Sequence, residues 1–255
     1  MKFVGIIPAR YASSRFPGKP LVLLGGKPVI QRVYEQVSRV LADIYVATDD
    51  ERISQIVEKF GGRSIMTSPH HKSGTDRINE AVDTIKAKSD VVVNIQGDEP
   101  FILPSQIETV CRCFEDPQTQ IATLGKPFTN QQSFDDLCNP NTPKVITDNH
   151  GYAMYFSRSI IPFIRGKEHE DWIGSFPFMK HIGLYAYRTD VLKELAQLPQ
   201  TSLEMAESLE QLRWLQSGYR IKVGVTNEET IGIDTPQDIE KAETFLKNLK
   251  LSALR

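Results

Sequence analysis

Cysteine is scarce, with three in 255 residues. So few, in an odd number, exclude a disulfide framework. No apolar run approaches the ~18 residues that a membrane span requires. The opening Met1-Lys-Phe-Val-Gly-Ile-Ile-Pro8 is too short and too soon polar for a secretory signal. A positive surplus is missing as well: 30 Lys+Arg stand against 32 Asp+Glu, a net charge of −2. Binding to a nucleic-acid backbone wants a basic excess. There is no Gly/Ser/Pro linker and no internal repeat. These absences predict a soluble cytoplasmic chain that engages neither nucleic acid nor membrane. What remains, 40% hydrophobic and 24% charged residues, is globular composition.

Along the chain, short apolar runs alternate with amphipathic stretches. Phe3 to Pro8, Ile44 to Thr48, Arg63 to Thr67 and Val91 to Ile95 read as buried strands. Val29, Ile30, Val33, Val37 and Val40 form one helical stripe, and Ile53, Ile56, Val57 and Phe60 another. Ile78, Ala81, Val82 and Ile85 form a third behind Ser73-Gly-Thr-Asp76, a capping-box pattern. Strands alternating with helices predict an α/β fold: a mostly parallel twisted sheet with helices on both faces. Its ligand belongs at the carboxyl ends of the strands. After about residue 120 the rhythm changes and Pro127, Pro140, Pro143, Pro162 and Pro177 interrupt it. A single domain over 1–255 is expected, with a smaller mixed-sheet insertion at about 126–190 forming a dimerisation arm. A helix is expected from Thr201, with Leu209, Leu212 and Leu215 inward, ended by Gly218.

The most informative segment follows the first strand: Pro8-Ala-Arg-Tyr-Ala-Ser-Ser-Arg-Phe-Pro-Gly-Lys-Pro-Leu21. Small residues let backbone N–H groups approach an anion, and Arg10, Arg15 and Lys19 can neutralise a polyphosphate. The Gly-x-x-x-x-Gly-Lys-Ser/Thr loop and the Gly-x-Gly-x-x-Gly loop are both absent. Asp98 closes the apolar strand at Val91–Ile95, so it should stand beside this turn. Asp234 precedes the last helix, where it either caps the helix or joins Asp98. Two carboxylates at a phosphate site suit Mg²⁺. His70 and His71 follow a proline in a predicted loop and make no metal cluster. Cys111 is expected to face the core, and no cysteine is assigned chemistry.

This segment resembles that of the CMP-Kdo synthetases, the cytidylyltransferases that activate 3-deoxy-D-manno-octulosonate (Kdo). The resemblance continues in Ser73-Gly-Thr-Asp-Arg77, Asn94-Ile-Gln-Gly-Asp-Glu-Pro100, Tyr155-Phe-Ser-Arg-Ser159, Lys180-His-Ile-Gly-Leu-Tyr185, Leu209-Glu-Gln-Leu-Arg213 and Gly232-Ile-Asp-Thr-Pro236. Blocks in this order cover nearly the whole chain. The resemblance implies a nucleotide-diphospho-sugar transferase-like fold, a homodimer, and the joining of CTP to Kdo with release of pyrophosphate, a step of lipopolysaccharide biosynthesis. Pro8, Ala9, Arg10, Arg15, Lys19, Arg77 and Gln96 are then expected at the nucleotide. Asp98 and Asp234 would hold Mg²⁺, with Lys19 and Arg10 completing the catalytic set. Arg158, His181, Tyr185, Glu210 and Gln211 would meet the sugar acid. A cytidylyltransferase for 8-amino Kdo or sialic acid stays open beside Kdo, as does a non-catalytic nucleotide binder. A glycosyltransferase would want Asp-x-Asp at the strand end, which is missing.

Overall fold

The computed structural model describes residues 1–12, 16–71, 73–86, 88–228 and 231–252. The chain divides into two compact units. One comprises Met1–Ile107 with Thr230–Arg255, the other Glu108–Glu229. The second unit starts before, and ends after, the 126–190 segment that the sequence singles out.

In the first unit, β1 (Phe3–Ala9) runs parallel to β2 (Ile44–Thr48) and to β4 (Val91–Asn94). β2 runs parallel to β3 (Ser64–Met66). The sheet order is therefore β4-β1-β2-β3. Helices α1 (Val29–Val37), α2 (Glu51–Lys59) and α3 (Gly74–Ile85) intervene along the chain. Of the expected stripe, Val29, Ile30, Val33 and Val37 are buried in α1, while Val40 lies beyond its end and is half-buried. Fully burying such a side chain stabilises by about 1.5–3 kcal/mol. Asp50 caps α2 by accepting from the Arg52 backbone N–H at 2.9 Å. Ser73 and Asp76 form the predicted capping box of α3. The final helix, Pro236–Ser252, closes this unit. Its Ala242 packs with Leu24, Val29, Phe101 and Ile233.

In the second unit, β5 (Ile121–Pro127) lies antiparallel to β8 (Met179–Arg188) and parallel to β9 (Ile221–Val225). β6 (Lys144–Thr147) pairs antiparallel with β7 (Ala153–Ser157) and with β8. Within the 126–190 segment the strands pair antiparallel; the sheet becomes mixed through β9, outside it. Phe128, Leu137, Trp172 and Phe178 form an apolar cluster.

One expectation fails here. The helix expected from Thr201 to Gly218 is two short helices, α4 (Ser202–Glu207) and α5 (Gln211–Gln216). Ser208 between them takes a left-handed conformation, φ 51°. Leu212 is buried as expected, but Gln211, Arg213 and Trp214 are buried with it, and Leu215 is only half-buried. The physical reason is an ion pair: Arg213 Nε and Nη2 donate to Glu204 at 2.8 and 2.5 Å, which draws a charged residue inward. Among the described residues no helix is long and apolar enough to cross a membrane.

Candidate active site

Everything in the first cavity belongs to the first unit. Pro8 and Ala9 at the end of β1, Arg10, Lys19, Gln96, Asp98 and Asp234 line it. This is the carboxyl edge of a parallel sheet, where such folds bind ligands. Gly97 is required by a close approach: a Cβ there would stand 2.7 Å from the Pro8 carbonyl oxygen. The strand end carrying Asp98 is thereby pressed against the end of β1. Gly18, with φ 73°, turns the chain into Lys19, and its N–H donates to the Tyr11 carbonyl at 2.9 Å.

The buried Lys19 ammonium joins the two distant acids. Its Nζ lies 2.5 Å from Asp98 Oδ2 and 3.4 Å from Asp234 Oδ1. A backbone bond sets their separation, because the Ile233 N–H donates to the Asp98 carbonyl at 2.9 Å. Capping is the work of Asp238, not Asp234. Asp238 Oδ2 accepts from the backbone N–H of Asp234 at 3.1 Å and of Thr235 at 2.9 Å. The Asp234 carboxylate lines the cavity beside Lys19. Two carboxylates already converging on one cation form a hard-oxygen donor set, which fits Mg²⁺ chemistry.

Arg77 and His71 line the same cavity. The Arg77 guanidinium is buried and donates to Asp49 Oδ2 at 2.8 Å and to Thr67 Oγ1 at 2.6 Å. His71 Nε2 meets Glu80 Oε2. Burial would raise the Glu80 pKa, but hydrogen bonds from His71 and the Ser68 N–H hold it below the usual carboxylate value. Sequence reasoning missed Asp49, Glu80 and Asp238. The Asp49-Asp50 pair reads as two acids at a helix start, yet only Asp50 caps. Arg15 lies outside the described residues.

The second unit gathers the other predicted set around the α4–α5 break. Arg158 Nε donates to the Glu207 carbonyl at 2.6 Å, Nη2 to the Ser208 carbonyl at 3.2 Å and Nη1 to the Pro140 carbonyl at 2.8 Å. A helix that stops early leaves carbonyls unpaired, and Arg158 satisfies them. Glu207 returns the contact: its carboxylate accepts from Ser157 Oγ at 2.6 Å and from the Arg158 N–H at 2.9 Å. Lys144 Nζ donates to the Arg158 carbonyl at 2.6 Å. The His181 ring packs against Tyr185, centroids 5.4 Å apart, and against Phe156 at 5.0 Å. Its Nε2 lies 3.0 Å from Thr123 Oγ1. Burial pushes the imidazole pKa down to about 3, so at neutral pH it is an uncharged hydrogen-bonding group. Tyr185 packs edge-on against Trp214 of α5 at 5.1 Å. Glu210 immediately precedes α5. The Gln211 amide nitrogen is buried without a hydrogen-bond partner. Such an orphaned donor points to a water or a ligand as its acceptor.

Cys111 is half-buried and Cys113 buried, reversing the expected emphasis on Cys111. Burial pushes their thiols up, to about 12 and about 11.

Residues 4–223 match the family described as Cytidylyltransferase. A 3-deoxy-manno-octulosonate cytidylyltransferase of Bacteroides thetaiotaomicron is 66% identical over 248 residues, 97% of this chain and 99% of the relative. An 8-amino-3,8-dideoxy-manno-octulosonate cytidylyltransferase of a Shewanella species is 48% identical over 251 residues, 96% of this chain and 99% of its own length. Among solved structures, a CMP:2-keto-3-deoxy-manno-octonic acid synthetase complexed with CTP is similar with a TM-score of 0.89 and 42% identity. That match covers 97% of this chain and 99% of the other.

Proposed function

The chain belongs to the cytidylyltransferase family, and from that premise we infer that it joins CTP to Kdo, giving CMP-Kdo and pyrophosphate. The observation that carries this reading is the meeting of Lys19, Asp98 and Asp234 in one cavity at the sheet's carboxyl edge. The relatives at 64–66% identity are named for Kdo, which favours it over its 8-amino analogue. The activity is a step toward lipopolysaccharide, the fate that Kdo implies.

The anomeric hydroxyl of the sugar acid attacks the α-phosphorus in line, and pyrophosphate leaves. Positioning and charge stabilisation supply most of the rate. Lys19 and Arg10 oppose charge on the triphosphate. Pro8, Ala9, Gln96 and Arg77 hold the nucleoside, and backbone carbonyls suit the exocyclic amine of cytosine. Asp98 and Asp234 are the residues to hold Mg²⁺. When bound, that ion neutralises phosphate oxygens and lowers the cost of deprotonating the nucleophile. On the sugar side, His181, Tyr185 and Gln211 suit hydroxyls, and Arg158 keeps two terminal N–H groups beyond its three carbonyl bonds for a carboxylate. Glu210 accepts from hydroxyls.

A homodimer completes the reading. Phe163, 73% exposed and within the 126–190 segment, is an apolar surface that a second copy would cover. Sedimentation at micromolar concentration tests it. A cytoplasmic site follows from the need for CTP. The deciding assay is pyrophosphate release from CTP, UTP and ATP with Kdo, 8-amino Kdo and sialic acid, with and without Mg²⁺. CTP with Kdo should lead every other pair at least tenfold and should require the ion. A tenfold preference for another acid defeats the Kdo reading.

A further inference from the structure

His71 has no part in the roles above, yet it lines the nucleotide cavity. Its place follows from the sheet order β4-β1-β2-β3. Asp98 comes after β4 and the cationic turn after β1. Asp49, behind Arg77, comes after β2, and the loop bearing His71 comes after β3. The groups that suit a triphosphate thus stand over β4 and β1. Arg77 and His71 close from the β2–β3 side the same cavity that Pro8, Ala9 and Gln96 line for the nucleoside.

His71 is built like Arg77. Each cavity-lining side chain has a carboxylate behind it, Asp49 for Arg77 and Glu80 for His71. Glu80 is itself fixed, accepting from the Ser68 N–H at 2.8 Å. The same short segment is braced again where the His70 N–H donates to Ser68 Oγ at 3.2 Å. An ionised carboxylate only accepts, so His71 Nε2 carries the proton. With Nε2 turned to Glu80, Nδ1 is the ring nitrogen left for a ligand. Among the described residues Nε2 is the ring nitrogen with a hydrogen-bond partner, and none is recorded for Nδ1.

We propose that His71 is a specificity-determining residue for the nucleotide, its Nδ1 accepting a hydrogen bond from a donor on the nucleoside. Two groups of that chemistry exist on CTP, the exocyclic amine and the ribose hydroxyls. The assignment rests on the CTP reading of the cavity and adds a contact to it.

The test is steady-state pyrophosphate release at saturating Kdo with CTP, UTP, 2′-deoxy-CTP and 3′-deoxy-CTP. His71→Gln keeps a donor near Nε2 and removes the acceptor near Nδ1, while His71→Asn keeps an acceptor there. With His71→Gln, KM for CTP should rise at least tenfold and kcat stay within threefold. The preference for CTP over one analogue should fall more than threefold. His71→Asn should hold that preference within threefold of wild type. Loss against UTP identifies the amine, and loss against a deoxy analogue identifies the hydroxyl. If all three preference ratios of His71→Gln stay within threefold of wild type, the assignment is overturned. It is overturned equally if wild type shows no preference. Should His71→Gln not fold, Glu80→Gln is read by the same ratios and thresholds. A wild-type enzyme that makes no pyrophosphate from CTP defeats the function itself. Wild-type turnover with unchanged ratios defeats only the role of His71.

Discussion

The two predicted binding sets, one in each unit, satisfy their polar groups by different means. In the first, charge is set against charge: Lys19 against Asp98 and Asp234, Arg77 against Asp49. In the second, the corresponding cations rest on neutral carbonyls. Arg158 donates to three of them, and Lys144 to those of Asn139 and Arg158. His181 is held uncharged by burial. Paired charges suit a ligand carrying several charges of its own, because a polyanion and its counter-ion can replace each partner. Neutral, braced groups suit a polyol with a single carboxylate, which is recognised by shape and hydrogen-bond count.

The sharpest way to break this contrast is to remove a charge from the first cavity. Lys19→Ala and Asp98→Asn should each lose about 10²–10³-fold in kcat/KM, about 2.7–4 kcal/mol. Purified variants with near wild-type turnover would refute the role. Next comes Asp49→Ala, which strands a buried guanidinium. It should lower unfolding stability by about 3 kcal/mol in urea titration and raise KM for CTP while leaving KM for Kdo unchanged. An equal rise in both constants would erase the distinction between the units. Asp238→Ala removes acceptors from two N–H groups at a helix start and should cost about 1 kcal/mol. It should also weaken Mn²⁺ binding measured with CTP present, since Asp234 loses its brace.

A smaller effect is read by pH. His181 has its pKa depressed to about 3 in the folded chain, against about 6.5 unfolded. The unfolded chain therefore binds a proton that the folded chain refuses. This contribution to stability is complete above pH ~6.5 and is lost as pH falls toward 3. His181→Gln should flatten that part of a melting-temperature profile, and an unchanged slope would contradict a buried neutral ring. Smallest of all, Cys111 and Cys113 should resist alkylation at pH 8 until the chain unfolds, while the exposed Cys138 reacts. Mass spectrometry of native and denatured samples checks this.

Periodicity made the first unit legible. The α1 stripe and the span Ile44–Thr48 stand as read, because local apolar spacing and parallel pairing agree there. The break at Ser208 was not legible, for its cause is remote: Glu207 turns to Ser157 and Arg158, fifty and forty-nine residues away in sequence. Burial of Arg213 follows from its equally invisible pairing with Glu204. At Asp234 the sequence offered two roles, and the spacing before the helix favoured the cap. Only the position of the Asp238 carboxylate separates them.

The hydrogen bond from Ile233 to the Asp98 carbonyl has a consequence for biosynthesis. A nascent chain that has emerged as far as residue 107 already holds Lys19 and Asp98, but only half of the acid pair. The second half arrives after the whole of the other unit has been made, when the chain returns to the first. A polypeptide arrested anywhere before residue 230 thus carries an ammonium and one acid without the second. Pairing of Lys19 with both acids is withheld until the chain beyond residue 230 has emerged.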